Sequence, residues 1–178
     1  MKKTFLSFVL SAAALIVFGG FGGTQILPSA NVKDLQGKTV NTSAISNDGK
    51  PILVSFWATW CKPCLQELKA IHNVYDTWKQ ETGVKVVAIS IDDARNASKV
   101  KPFVNGLGWE FDVYLDENGD FKRAMNVNNV PHSFLIDGNT GKVVWQHNSY
   151  APGDENHLYE EIKKLASGTG IAAPASEH

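Results

Sequence analysis

Cys61 and Cys64 are the only cysteines in a chain of 178 residues, and Lys62 and Pro63 lie between them. Two intervening residues place the sulfurs within reach of a disulfide. A thiolate can attack a disulfide of another molecule, and a neighbouring thiol can then resolve the mixed disulfide that forms. The pair therefore predicts thiol–disulfide exchange as the chemistry of this protein.

The cysteines lie where a predicted strand gives way to a predicted helix. Residues 51–57 form a short apolar run with β-branched and aromatic side chains, which is typical of a buried strand. Apolar side chains then recur at steps of three and four, which predicts an amphipathic helix over residues 61–81. These side chains are Leu65, Leu68, Ile71, Tyr75 and Trp78. Pro63 suits the first helical turn, where its missing N–H costs no hydrogen bond.

The start of a helix favours an anion, because unpaired N–H groups and the positive end of the helix dipole meet there. A thiolate on Cys61 gains from this position, and Lys62 adds a positive charge nearby. Thiols in such places commonly have pKa values well below the ~8.5 of a free cysteine. We therefore expect Cys61, at the exposed helix entrance, to be the attacking thiol, and Cys64 to be the resolving one.

Two other uses of the cysteine pair are possible. The pair could be half of a zinc site, but such a site needs two further ligands, usually a second pair. The chain has no second pair, and its five histidines are scattered. A purely structural disulfide that closes so small a loop would constrain little of the unfolded chain. Redox activity is favoured over both, and we predict no metal site and no cofactor.

The N-terminal residues 1–23 differ from the rest of the chain. Lys2 and Lys3 precede an apolar run over residues 5–18, and four glycines follow within residues 19–23. This layout predicts a signal peptide or an N-terminal membrane anchor, and the short, glycine-ended run favours cleavage. Attachment to a membrane through residues 4–23 is the alternative. Both predict an exported protein of the periplasm or cell envelope, where disulfides persist.

The rest of the chain predicts a single α/β domain over residues 32–167, with a linker at 24–31 and a flexible tail at 168–178. Gln36–Gly37 is the expected turn of an N-terminal β-hairpin. The further predicted elements are strands at 84–91, 111–115, 130–136 and 142–147 and helices at 94–108, 121–125 and 154–166. This order predicts a mixed central sheet flanked by helices on both faces. A net charge of −1 with no basic stripe argues against a nucleic-acid partner.

Two separated motifs resemble those of a known family. Residues 52–64 (ILVSFWATWCKPC) are similar to the active-site segment of thioredoxin-like proteins, and residues 130–137 (VPHSFLID) resemble their cis-proline strand. The predicted export signal, the segment 64–67 and the long region 92–130 narrow the resemblance to the TlpA/ResA type. It covers residues 32–167 and implies a thioredoxin fold and a thiol–disulfide oxidoreductase without a cofactor.

Proteins of this type reduce disulfides of client proteins, for example in cytochrome c biogenesis or copper-centre assembly. A membrane electron donor of the DsbD/CcdA kind re-reduces them. The resemblance therefore implies both kinds of partner for this chain.

The resemblance also implies roles at the second motif. The spacing alone leaves Pro131 open between a cis-proline beside the cysteines and an ordinary proline at the start of a strand. The resemblance favours the cis-proline, and the backbone at Val130 would then pair with an extended client segment. His132 either contacts a partner or is an exposed histidine at the start of a strand.

Three side chains around the cysteines are candidates for client binding. Trp60 would contribute to an apolar recognition surface, and core packing is the alternative. Lys62 and Pro63, between the cysteines, would contact the client next to Trp60. Trp57 is expected in the core.

Glu67 is the candidate acid–base residue. Many thioredoxins carry a buried acid six positions before the first cysteine, where this chain has Ser55. Glu67 instead matches an acidic position that the TlpA/ResA type uses to tune thiol reactivity, and it would accept the proton of Cys64. A glutamate on the helix surface is the alternative. The type often has proline where this chain has Lys69, so the cavity around the glutamate can differ.

Two alternative functions remain open, and a third is disfavoured. A disulfide oxidase or isomerase could use the same motif at a higher potential. A copper-binding assembly module could use Cys61, Cys64 and His132, because thiolates select Cu(I). A peroxidase of the peroxiredoxin kind is disfavoured, because its Pro/Thr-rich cysteine motif is absent from the sequence.

Overall fold

The computed structural model describes residues 25–169, which contain seven strands, four α-helices and one short 3-10 helix at Thr42–Ala44. The strands are β1 (Asn31–Asp34), β2 (Thr39–Asn41), β3 (Ile52–Trp57), β4 (Lys85–Ser90), β5 (Asp112–Leu115), β6 (His132–Ile136) and β7 (Val143–Asn148). The helices are α1 (Lys62–Thr82), α2 (Ala97–Leu107), α3 (Asp120–Ala124) and α4 (Asp154–Ala166). Each predicted strand and helix has a counterpart among them.

The strands form one mixed sheet in the order β2–β1–β5–β4–β3–β6–β7. β4 runs parallel to both β3 and β5, and the other neighbouring pairs are antiparallel. β1 and β2 make the predicted N-terminal hairpin, with Val32 opposite Val40. β3 lies inside the sheet between β4 and β6 and is buried at every position, as its apolar run predicted.

Helices cover both faces of the sheet, as predicted. α1, α2 and α4 pack on one face through a cluster that includes Leu68, Val100 and Leu158. α3 packs on the other face through Phe121. Odd-numbered residues of β3 point toward α1, whereas even-numbered ones point toward α3, because side chains alternate along a strand. Ser55 therefore lies on the face of the sheet that α1 covers.

Most predicted boundaries agree with the structure to within one residue, but the starts of β6 and α2 were wrong. β6 begins at His132 rather than at residue 130, so Val130 and Pro131 precede the strand; Pro131 has no N–H to donate to a strand partner. α2 begins at Ala97 rather than at residue 94. The side chain of Asp93 accepts hydrogen bonds from the backbone N–H groups of residues 95 and 96, and this local turn delays the helix.

Residues 25–30, which we expected to be part of a linker, are bonded to the sheet. Leu27 N donates to Gly141 O, and Val143 N donates to Gln25 O, each at 2.8 Å. The segment thus extends the hydrogen bonding at the start of β7. Apolar spacing could not predict this, because the contacts are made by the backbone.

The predicted signal peptide or anchor at residues 1–23 lies outside the described residues, as does most of the predicted tail at 168–178. Between residues 25 and 169, no helix combines the length and apolar character that crossing a membrane requires. The N-terminal and tail assignments therefore stay predictions.

Gly138, in the loop between β6 and β7, packs closely against the backbone of residues 49 and 50, and this contact can be tested. A Cβ at this position would overlap Lys50 O and lie only 2.8 Å from Gly49 C, both backbone atoms. We expect Gly138→Ala to lower the free energy of unfolding by about 1–3 kcal/mol, because the backbone must shift. Gly106→Ala is the matched control: that site in α2 has open space, and alanine should stabilise the helix by about 1 kcal/mol. Urea unfolding measures both, and equal effects of the two substitutions would contradict this packing.

Candidate active site

The cysteine pair lies on a turn that joins β3 to α1. Cys61 N donates to Ala58 O at 3.0 Å, which closes the turn. Cys61 is the N-cap residue of α1, and its Sγ accepts a hydrogen bond from Cys64 N at 3.3 Å. Pro63 lies in the first turn of the helix, as predicted. A sulfur therefore occupies the place where a helix N-terminus stabilises an anion.

Cys61 and Cys64 form a disulfide, with Cα atoms 5.3 Å apart. Cys64 is fully buried, and Cys61 is only 5% exposed. The expected exposed position of Cys61 was therefore wrong in degree, although Cys61 is still the more accessible of the two. The cause is the loop before β6: Cys61 Sγ lies 3.7 Å from the carbonyl oxygen of Val130.

The Val130–Pro131 peptide bond is cis, in agreement with the resemblance. Antiparallel pairing sets Phe56 of β3 opposite His132 of β6. Pro131 therefore comes beside the end of β3, where the cysteine turn begins. Residues 130 and 131 are thus next to the disulfide, although 66 positions of sequence separate Val130 from Cys64.

The side chains proposed for client contact surround the disulfide at the surface. Trp60 is 66% exposed and is the most exposed of the large apolar side chains in the described residues. Lys62 and Pro63 are exposed as well. Trp57, by contrast, is fully buried and packs edge-on against Trp109, with ring centroids 5.0 Å apart. The core position expected for Trp57 is confirmed, and core packing does not account for Trp60.

Glu67 is buried, so the expected alternative of a surface glutamate is wrong. Its carboxylate accepts hydrogen bonds from Ser133 Oγ at 2.9 Å and from Ser55 Oγ at 3.4 Å. Burial raises the pKa of Glu67 from 4.5 to about 7, the two serine hydroxyls oppose this rise, and the carboxylate of Asp154 adds to it. A carboxyl group with this pKa can both accept and release a proton near neutral pH.

Glu67 reaches this position because its helix and two strands share one face. Residue 67 follows Cys64 by three positions, which places both on the inward side of α1. Ser55 of β3 and Ser133 of β6 are opposite each other in the sheet register and point to the same side. A serine at position 55 leaves room on this face, which the carboxylate of Glu67 occupies.

His132 is half-buried, so the interpretation of an exposed histidine at the start of a strand is wrong, whereas contact with a partner stays a prediction. Its ring stacks on Phe134, with centroids 4.3 Å apart, and its Nε2 lies 3.3 Å from Gln146 Oε1. Burial lowers the pKa of His132. Across residues 25–169, no three His, Cys, Asp or Glu side chains form a group that could hold a metal ion.

The sequence analysis missed two polar residues of the site. Ser133 donates to Glu67, and Asp92 is a buried carboxylate that contacts the turn before Cys61. Asp92 directly follows a predicted buried strand. The ends of parallel strands meet at one edge of a sheet, and this signal could have brought Asp92 into consideration.

Comparisons with known proteins agree with this geometry. The profile of the AhpC/TSA family matches residues 24–146. ResA, a thiol-disulfide oxidoreductase of Bacillus thuringiensis (strain Al Hakam), is 39% identical over 119 residues, which cover 67% of this chain and 65% of that relative's length. ResA of Bacillus cereus (strain ATCC 10987 / NRS 248) is 34% identical over 138 residues, covering 78% of this chain and 75% of the relative.

Solved structures give the same result for the fold. A thioredoxin-like protein from Porphyromonas gingivalis has 49% identity and a TM-score of 0.72, covering 85% of this chain and 94% of that one. A putative thiol:disulfide interchange protein DsbE from Chlorobium tepidum has 29% identity and a TM-score of 0.69, covering 80% and 96%. The predicted thioredoxin fold and the resemblance to the ResA type are confirmed.

The pKa of Glu67 predicts how the stability of the oxidised protein depends on pH. The folded state keeps the proton up to about pH 7, whereas the unfolded chain releases it near pH 4.5. The folded state thus binds more protons between these values, and the free energy of unfolding falls as pH rises through this window, by about 3 kcal/mol.

Urea unfolding of the oxidised protein at several pH values between 4.5 and 8 measures this effect. Glu67→Gln should remove the fall, because the amide does not titrate. Glu110→Gln, at an exposed position, is the control and should keep it. A wild-type profile in the Glu67→Gln variant would contradict the raised pKa.

Proposed function

This chain belongs to the AhpC/TSA family, and from that premise we propose that it is an exported thiol–disulfide oxidoreductase. It reduces disulfides of client proteins through a cycle between the Cys61–Cys64 dithiol and disulfide. The observation that carries the proposal is the disulfide at the N-terminus of α1, where Cys61 Sγ accepts a hydrogen bond from the backbone N–H of Cys64. The relatives named thiol-disulfide oxidoreductase ResA support the same activity.

The cycle begins with the reduced protein. The thiolate of Cys61 attacks a client disulfide, forms a mixed disulfide with one client sulfur and releases the other as a thiolate. A helix N-terminus favours a thiolate, so we expect the thiolate of Cys61 to form more readily than that of a free cysteine. The small exposed fraction of Cys61, against none for Cys64, supports Cys61 as the sulfur that a client disulfide can reach.

Cys64 then resolves the mixed disulfide. Its thiol loses a proton to Glu67, and the resulting thiolate attacks Cys61 Sγ. The Cys61–Cys64 disulfide forms, and the second client sulfur leaves as a thiolate. Glu67 suits this step because it shares the inward side of α1 with Cys64, and because its pKa of about 7 allows it to hold the proton transiently.

The client binds across the surface above the disulfide. Trp60 offers an exposed apolar side chain, and Lys62 and Pro63 lie beside it. An extended client segment would pair with the backbone at Val130, next to Pro131, as an added strand. Such main-chain pairing accepts many client sequences, since it reads little of their side chains.

Return to the dithiol needs two electrons and two protons. We assign their supply to a membrane electron donor of the DsbD/CcdA kind, and we place the protein in the periplasm or cell envelope. The two lysines and the apolar run at the start of the chain support export. Clients in cytochrome c or copper-centre assembly are the proposed targets.

Capture of clients tests the roles of the two cysteines. Wild-type protein should catalyse reduction of insulin by dithiothreitol, and Cys61→Ser should abolish the catalysis because the attacking sulfur is gone. Cys64→Ser should accumulate a mixed disulfide on Cys61, visible on a non-reducing gel and removed by reductant. Insulin reduction by Cys61→Ser at the wild-type rate would show that the roles are assigned wrongly.

A redox titration against glutathione separates a reductase from an oxidase. A reductase should have a potential near that of thioredoxin, about −270 mV, because its disulfide must be the more stable form. A potential near about −120 mV, typical of a strong oxidant, would favour the oxidase alternative and overturn the proposed direction.

A further inference from the structure

Asp92 is a fully buried carboxylate just beyond the end of β4. Its Oδ1 accepts a hydrogen bond from Thr59 Oγ1 at 2.6 Å, and its Oδ2 accepts from Thr59 N at 2.9 Å. Ser90 Oγ donates to Oδ2 at 2.8 Å. A charged group is expensive to bury unless hydrogen bonds compensate it, and here three donors surround one carboxylate.

Asp92 is held firmly by the sheet. Ser90 pairs with Trp57 at the ends of the parallel strands β4 and β3, and Ile91 N donates to Trp57 O at 2.8 Å. Asp92 N donates to Ser90 Oγ at 3.1 Å, which fixes the backbone that carries the carboxylate. The carboxylate therefore has a defined position relative to the end of β3.

Thr59, which donates two hydrogen bonds to Asp92, is a central residue of the turn that precedes Cys61. The turn begins at Ala58 and closes at Cys61, so Thr59 and Trp60 are its two middle residues. Fixing the N–H and the hydroxyl of Thr59 leaves the turn little freedom. The position of the Cys61 sulfur over the first turn of α1 and the outward direction of Trp60 both follow from this turn.

We propose that Asp92 is a positioning residue of the active site, which holds Thr59 and thereby sets Cys61 at the N-cap and Trp60 toward the client. This inference rests on the proposed function, because it assigns Asp92 to the same thiol chemistry. Asp92 acts through Thr59 and takes no direct part in the reaction with the client disulfide. It is required in both halves of the cycle, since Cys61 is the attacking atom in one and the attacked atom in the other.

The chain contains a matched control for a buried carboxylate with a purely structural role. Asp116 is 2% exposed and accepts hydrogen bonds from Phe121 N at 3.2 Å and Lys122 N at 2.7 Å. These bonds hold the start of α3, which packs on the opposite face of the sheet from α1. Asp116→Asn therefore removes a comparable charge without releasing the turn before Cys61.

Four variants of the full chain test the proposal: Asp92→Asn, Thr59→Val, Thr59→Ser and Asp116→Asn. Thr59→Val keeps the shape of the side chain and the charge of Asp92 but removes the hydroxyl that donates a hydrogen bond to Asp92. Thr59→Ser keeps that hydroxyl. We expect Asp92→Asn and Thr59→Val to slow insulin reduction about tenfold, since small misplacements of reacting groups are costly. Thr59→Ser and Asp116→Asn should stay near the wild-type rate.

The pH dependence of Cys61 alkylation in the reduced protein separates positioning from charge. Loss of the N-cap geometry weakens the stabilisation of the thiolate, so positioning predicts a raised pKa of Cys61 in Thr59→Val. A through-space effect of the Asp92 charge predicts no change in Thr59→Val, which keeps the charge, and a lowered pKa in Asp92→Asn, which removes it. Lys62, the charged neighbour of Cys61, is the same in all four variants.

The outcomes are distinct. Slow exchange and a raised thiol pKa in Thr59→Val, both restored in Thr59→Ser, support the proposal even where Asp92→Asn does not fold. Wild-type rates and thiol titration in Thr59→Val overturn it, and so does a loss of activity in Asp116→Asn equal to that in Asp92→Asn. Failure of the wild-type protein to reduce insulin would instead overturn the proposed function.

Discussion

The hydrogen bond from the N–H of Cys64 to the sulfur of Cys61 is the interaction on which the site depends. It exists because β3 ends, the chain turns once, and α1 begins with a sulfur at its N-cap position. The same arrangement that caps the helix also stabilises a thiolate. Local structure and reactivity are therefore two results of one geometry, and the remaining elements serve to maintain it.

Three groups maintain it from different sides. The loop before β6 brings Val130 and Pro131 against Cys61 and restricts its access to solvent. Asp92, beyond β4, holds the turn that precedes the sulfur. Glu67, below the disulfide on α1, provides a carboxyl group whose burial raises its pKa to about 7. Each is connected to the sheet, Val130 and Pro131 directly before β6, Asp92 just after β4, and Glu67 through its hydrogen bonds to Ser55 and Ser133.

Much of this could be predicted from the sequence, because the decisive signals are local. The apolar run before the cysteines and the helical spacing after them place the pair at a strand–helix junction. The cis-proline at Pro131 was indicated only by the resemblance of residues 130–137 to a family motif, because spacing alone left it open. The burial of Glu67 was left open by the sequence, which allowed both an acid–base residue near the cysteines and a glutamate on the helix surface. The hydrogen-bond partners of Glu67 could not be predicted, because Ser55 and Ser133 meet it only through the register of β3 with β6. The contact of Asp92 with Thr59 likewise depends on the pairing of β4 with β3, which periodicity does not encode.

The central claim is that the N-terminus of α1 stabilises a thiolate on Cys61. Its most direct test is the ultraviolet titration of thiolate absorbance in the reduced Cys64→Ser variant, which keeps the backbone N–H at position 64 and leaves a single thiol. We expect the pKa of Cys61 to lie below the ~8.5 of a free cysteine and toward about 7. A value of about 8.5 or above would contradict the account, because the helix N-terminus would then contribute nothing to the reactive sulfur.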